Sequence, residues 1–283
     1  MPLARKPLRA FWWNKFPNLG DALTPLLLQS FDHEVVRAEP ENADVCVIGS
    51  VLEQLQSSYQ GAIVGTGFLR DGPPMHFPSA RVLCVRGPLS AARAGLKDAV
   101  LGDAGLLAPR LVAPPGKPSV RVGLVPHYKD KGDLRLAELA DRLPGQVKLI
   151  DIQAEPKDVI ADIAACECVL SSSLHGLITA EAFGRRTGWL VLSQHVLGDG
   201  FKFRDHYAAL GATAVSIGLR GDETTDELAA CATLKDFHRG SMSAALELLG
   251  DTSATKVTLP FVEEQLKAAR ETMGEDYWSY GVA

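Results

Sequence analysis

Several things are scarce in this 283-residue sequence, and each scarcity removes a class of protein. No apolar run approaches the roughly 20 residues that a membrane-spanning helix needs. The first residues, MPLARKPLRAFWWN, carry early basic side chains but no apolar core of the kind a secretory signal has. Positive charge is not in excess. Lys and Arg number 29 against 34 Asp and Glu, a formal net charge of −5, which is not the footprint of a nucleic-acid binder. The five cysteines, Cys46, Cys84, Cys166, Cys168 and Cys231, are odd in number and mostly set in apolar segments. That argues against a disulfide framework and for reduced core thiols in a cytoplasmic protein. Cys166 and Cys168 form a C-x-C with no second ligand pair nearby, so no metal site is expected.

What remains is an ordinary globular composition, 46% hydrophobic and 22% charged, long enough for one large or two medium domains. Short apolar or β-branched runs alternate with helical patterns. Strands are expected at Leu8 to Trp13, Ala43 to Gly49, Ala62 to Gly65, Arg81 to Val85 and Ala99 to Leu107. After a stretch rich in proline, Ala108 to Pro118, they resume at Val120 to Val125, Val147 to Ile152, the run before Ser171, Gly188 to Leu192 and Val215 to Ile217. Helices are expected from about Asp21 to Ser30, just after Arg86-Gly87-Pro88, and at Asp133 to Leu143, Lys157 to Ala165, Leu174 to Phe183, Lys202 to Leu210, Leu234 to Leu249 and Phe261 to Met273. Four prolines in eleven residues cannot continue a helix or a central strand.

This alternation predicts an α/β protein with two Rossmann-like, doubly wound domains facing across a cleft. The expected division is residues 1–108, a linker at 109–118, residues 119–250, and a helical tail at 251–283 that packs back on the first domain or on another subunit. Strand-end loops are where such sheets bind ligands. The stretch VLSSSLHGLITAEAFG, Val169 to Gly184, reads as a strand, a polar turn and a helix, with His175 at the helix start. There unpaired N–H groups favour an anion, and a titratable imidazole becomes a candidate chemical centre. The alternative is that the serines only cap the helix. Asn18 to Asp21 is a strand-to-helix loop of the same kind, or a structural turn. Arg86 ends a strand, where a guanidinium can clamp a carboxylate or phosphate or else form an ion pair. Gly65-Thr66-Gly67 lets the backbone approach a ligand or a neighbouring helix, but Phe68, Leu69 and Arg70 follow, so it is no dinucleotide fingerprint.

Five loops in order, NLGD at Asn18–Asp21, RGPLS at Arg86–Ser90, GDAGLL at Gly102–Leu107, VPHY at Val125–Tyr128 and SSLHGLITAEA at Ser172–Ala182, together resemble the polysaccharide pyruvyl transferases, from about Trp12 to Gly211. The resemblance implies a GT-B-like pair of Rossmann-like domains. It also implies transfer of the enolpyruvyl unit of phosphoenolpyruvate (PEP) onto two hydroxyls of a sugar in exopolysaccharide or cell-surface glycan synthesis, releasing phosphate. PEP is then a co-substrate, and no further cofactor is expected. The acceptor is a nucleotide- or lipid-linked sugar, and the location is the cytoplasm or the inner face of the membrane, beside glycan-assembly machinery. Family members commonly carry an arginine two residues before the motif histidine, where this chain has Ser173. Its cationic role must fall to Arg86, Lys202, Arg204 or another residue. A further family cation past the next strand matches Lys202, with His195 as the alternative.

The chemistry needs a proton donor for the terminal CH₂ of PEP, later able to act as base, and positive groups for two anions. A histidine suits the first task because its pKa lies near working pH. The expected assignment is His175 as general acid/base, with Arg86, Lys202, Ser172, Ser173 and, second in line, His127 on PEP. Asn18, Asp21 and Asp103 are expected on the acceptor or ordering loops, since carboxylates repel PEP. The alternatives are a GT-B glycosyltransferase with a nucleotide-sugar donor, or a silent scaffold homologue.

Overall fold

The computed structural model describes residues 6–97 and 99–235. The helices expected at 234–249 and 261–273, and with them the tail at 251–283, lie outside the described residues apart from the first two positions.

Two parallel five-stranded sheets form the frame. The first is built from β1 (Leu8–Phe11), β2 (Val35–Arg37), β3 (Val45–Cys46), β4 (Ala62–Val64) and β5 (Arg81–Cys84), in the order β2-β1-β3-β4-β5. The second holds β6 (Val120–Val125), β7 (Val147–Leu149), β8 (Cys166–Ser171), β9 (Arg186–Leu190) and β10 (Ser216–Ile217), in the order β10-β9-β8-β6-β7. All neighbours pair in parallel, Ala10 beside Val45 in one sheet and Val122 beside Cys168 in the other. Continuous apolar strands such as β3, β4 and β8 are what sheets covered on both faces require.

The covering helices are α1 (Leu19–Gln29), α2 (Pro88–Arg93), α3 (Leu134–Arg142), α4 (Pro156–Ala164), α5 (Leu174–Ala182), α6 (Phe201–Ala209) and α7 (Thr225–Ala230). On α1, Leu19, Leu23 and Leu27 recur every four residues and are buried to 1% exposure or less; each contributes roughly 2 kcal/mol of hydrophobic burial. They share one core with Ile150, Ile152, Val159 and Ile160 of the second half, and the Leu19 N–H donates to the Ile152 carbonyl at 3.1 Å. The two halves are therefore joined by apolar packing as well as by chain.

Several elements depart from the sequence reading. The strand expected at Ala99 to Leu107 is reduced to one bridge, Val85 with Leu101, after which Ala104–Arg110 winds into a 3-10 helix that packs against α5. Asp103 starts that helix by accepting the Gly105 N–H at 2.8 Å. The first part of the expected linker is thus packed structure, with Pro109 inside the 3-10 helix. The edge strand β2 and the short helix α7, closed by a Thr224–Glu227 capping box, were not expected.

Candidate functional site

In each sheet the strand order reverses once, between β1 and β3 in the first and between β6 and β8 in the second. Open α/β sheets bind ligands outside the carboxyl ends of the strands at such points. Here both reversal points open onto one pocket of about 190 Å³. The loops after β1 and β3 bring Phe16, Asn18, Asp21 and Ser50 to it; those after β6 and β8 bring His127, Lys129, Ser173 and His175; and α6 adds Lys202.

His175 lies in the first turn of α5, only 7% exposed. Its Nε2 faces Asp103 Oδ2 at 3.7 Å, an ion-pair distance longer than a hydrogen bond, and neither atom has another partner. The ring lies against Gly20, where any side chain would collide with it. Ser173 occupies the N-cap position of α5 without a side-chain capping bond, so the helix start is left open to an outside acceptor. The reading of the serines as mere caps is not what the geometry shows at Ser173.

Burial shapes the charges around the pocket. It raises the Asp21 carboxyl to about 6, against the pull of His175, a 2.6 Å hydrogen bond from Asn18 Nδ2, and Lys202. Burial and the neighbouring Arg86 lower the Lys202 ammonium to about 8 despite Asp21 and Asp130. His127, desolvated and close to Lys202 and Lys129, falls to about 3 and is neutral at working pH. Burial acts to raise Asp103, but His175, the Gly105 N–H and Arg86 outweigh it and hold the carboxyl below its usual range.

The remaining expected site residues fall elsewhere. Arg86 does not line the pocket. It is fully buried, with Nε on Asp205 Oδ2 at 3.0 Å, Nη1 on Ser50 Oγ at 2.7 Å and Nη2 on the Phe68 carbonyl. The same Asp205 carboxylate accepts the Ser90 N–H and hydroxyl at 2.9 and 2.6 Å, capping α2 from α6, and Gly87 is required because the Asp205 backbone packs against it. Ser172 also turns away. Its hydroxyl donates to Asp130 at 2.6 Å and accepts the His127 N–H at 2.9 Å, tying the loop after β8 to the loop after β6. It borders a second pocket, of about 290 Å³, with Trp189, Ser193 and Gln194. Arg204 and His195 are exposed and lie off the first pocket. Gly67 backs onto Arg86 and Ser90, so the Gly65-Thr66-Gly67 turn serves a neighbouring helix.

Residues 75–193 match the family described as polysaccharide pyruvyl transferase. The chain resembles that family over this segment. The pyruvyl transferase match spans Arg86, Asp103, His127, Ser172, Ser173 and His175, while Asn18, Asp21 and Lys202 lie outside it. The succinoglycan biosynthesis protein ExoV of Rhizobium meliloti is 30% identical over 215 residues, 72% of this chain and 65% of its own. The uncharacterized protein L143 of Acanthamoeba polyphaga mimivirus is 28% identical over 223 residues, 73% of this chain and 76% of its own. A 52-residue segment, 18% of the chain, is 60% identical to 16% of the 4,5-dihydroxyphthalate decarboxylase of Comamonas testosteroni. The chain thus spans less than two thirds of ExoV and a small part of the decarboxylase.

Sequence reasoning missed Lys129, Asp130 and Asp205. Lys129 directly follows the VPHY motif and could have been found as a cation beside a strand-end histidine. The other two act through contacts 42 and 115 or more residues away, which no local pattern carries. Among the described residues no cluster of His, Cys, Asp and Glu is arranged to hold a metal, and no helix is long and apolar enough to cross a membrane.

Proposed function

We propose that this chain is a pyruvyl transferase that makes a pyruvate ketal on a sugar of an exopolysaccharide or cell-surface glycan, with PEP as donor, in a GT-B-like cleft between the two sheets. One observation carries the reading: a pocket lined by the reversal points of both sheets joins a histidine, an uncapped helix start and two lysines.

In this scheme the N-terminus of α5, Ser173, Lys202 and Lys129 hold the phosphate and carboxylate of PEP. Lys129 and Lys202 take over the positive charge that the family places at the position of Ser173. Arg86 and Ser172 are reassigned from ligand contacts to positioning: Arg86 fixes α6 and so Lys202, and Ser172 fixes the His127 loop. Neutral His127 offers a hydrogen bond, and Asp21 with Asn18 receives the acceptor hydroxyls.

His175, its Nε2 turned to Asp103, presents Nδ1 to the substrate. The imidazolium protonates the terminal CH₂, which becomes CH₃, and positive charge develops at C2. The first sugar hydroxyl adds there and yields its proton to the imidazole. Phosphate then leaves, the second hydroxyl adds to C2, and its proton departs on the hydrogen phosphate. One proton enters carbon, two leave the diol, and one leaves with phosphate, so the sum closes. A placed acid/base of this kind contributes roughly 10²–10⁴-fold.

The test is phosphate release from PEP in the presence of a panel of nucleotide- and lipid-linked sugars. His175→Gln is expected to lower turnover by at least about 100-fold with the fold intact by circular dichroism. Full activity in that variant removes His175 from the chemistry. Turnover with a nucleotide-sugar and none with PEP overturns the donor assignment.

A further inference from the structure

Asp103 and His175 come from opposite halves of the chain, one after the first sheet and one after β8. Each contributes a buried polar atom with no hydrogen-bond partner, Asp103 Oδ2 and His175 Nε2, and these two orphans face each other at 3.7 Å. Buried polar groups without partners are costly and rare, so a facing pair of them marks a contact that functions. The other Asp103 oxygen is held by the Gly105 N–H, and the imidazole lies against Gly20, where no side chain could fit.

We propose that Asp103 is the positioning residue of the site: it keeps His175 as the Nε2–H tautomer and stabilises its imidazolium. This rests on the reading of His175 as acid/base. The other groups facing the ring suit the task less. Asp21 on α1 is hydrogen-bonded to Asn18 and titrates near 6, His127 is neutral, and Lys202 brings positive charge. Asp103 is fully buried, ionised and otherwise committed only through its second oxygen. The proton that His175 gives at Nδ1 is then governed by a carboxylate of the other half of the molecule.

The full chain can be titrated by two-dimensional ¹H–¹⁵N NMR of the histidine rings, with His175→Gln supplying the assignment. In the parent protein above the His175 pKa, the Nε2–H tautomer is expected. In Asp103→Asn the His175 pKa is expected to fall by about 1 unit or more. The acid-requiring limb of the pH–turnover profile should move by the same amount, with the KM for PEP little changed. Asp21→Asn should leave the tautomer as it was. A parent protein in the Nδ1–H form overturns the proposal without any variant having to fold, and so does an unmoved pKa in a folded Asp103→Asn. A pKa that moves while the pH–turnover profile stays fixed overturns instead the reading of His175 as the acid.

Discussion

Replacing Asp21 by Asn removes one ionisable carboxyl while keeping the shape and the acceptor for Asn18 Nδ2. In the folded chain burial lifts this carboxyl from 3.8 to about 6. At about 1.4 kcal/mol per pH unit, ionised Asp21 costs the fold about 3 kcal/mol relative to its neutral form. The sign follows from proton counting. Between 3.8 and about 6 the folded state holds a proton that the unfolded state has released, so the contribution of Asp21 to stability falls as pH rises through that window and stays low above it. His127 acts in the opposite sense: lowered from 6.5 to about 3, it contributes stability that is lost as pH falls below 6.5. Parent and Asp21→Asn share the His127 effect, so their difference isolates Asp21. Urea unfolding of the full chain in steps of pH, followed by tryptophan fluorescence, measures that difference. It should be close to zero near pH 3.5, grow by about 1.4 kcal/mol per unit and level off at about 3 kcal/mol in favour of the variant above pH 6. Turnover should fall in the same variant while the KM for PEP does not rise, since a negative charge near an anionic donor has been removed. A stability difference that does not change with pH refutes the assigned burial of Asp21, and a KM that rises refutes its place on the acceptor side.

Lys202, lowered to about 8, should lose its proton within the usable range, so PEP affinity by calorimetry is expected to decline as pH rises through about 8. In Lys202→Met it should be weak and flat across that range; a parent profile without the decline places the anion elsewhere. Arg86→Ala leaves Asp205 buried without its counter-ion and should cost roughly 3–5 kcal/mol in urea unfolding, part of which Arg86→Ala/Asp205→Ala recovers. Unchanged stability with weakened PEP binding would return Arg86 to the ligand.

The parallel strands and helices were legible because their apolar runs and amphipathic spacings are local. Val120–Val125 was expected with the bounds observed, and α4 and α6 were each displaced by one residue. Ala104–Arg110 was misread because AGLLA is a short apolar run without period, which suits a buried strand and a tight helix equally. At the site, the strand-end loops were legible from the alternation of strands and helices, and His175, Lys202 and Asp21 do meet in one pocket. Arg86 shows the limit. A strand-end arginine looks the same in sequence whether it awaits a phosphate or an aspartate, and the aspartate is 119 residues further on.

The buried pair of Arg86 and Asp205 also bears on how far this chain is modular. Cut anywhere between them, each fragment would carry a charge whose counter-ion lies on the other, and α2 would lose the carboxylate that caps it. Leucines of α1 would likewise lose the isoleucines they share a core with. Two sheets need not mean two interchangeable parts. A chimera that grafts a foreign first half onto the second half of another relative has to bring Asp205 together with Arg86, Gly87 and Ser90, because the seam between the halves is inherited as one piece.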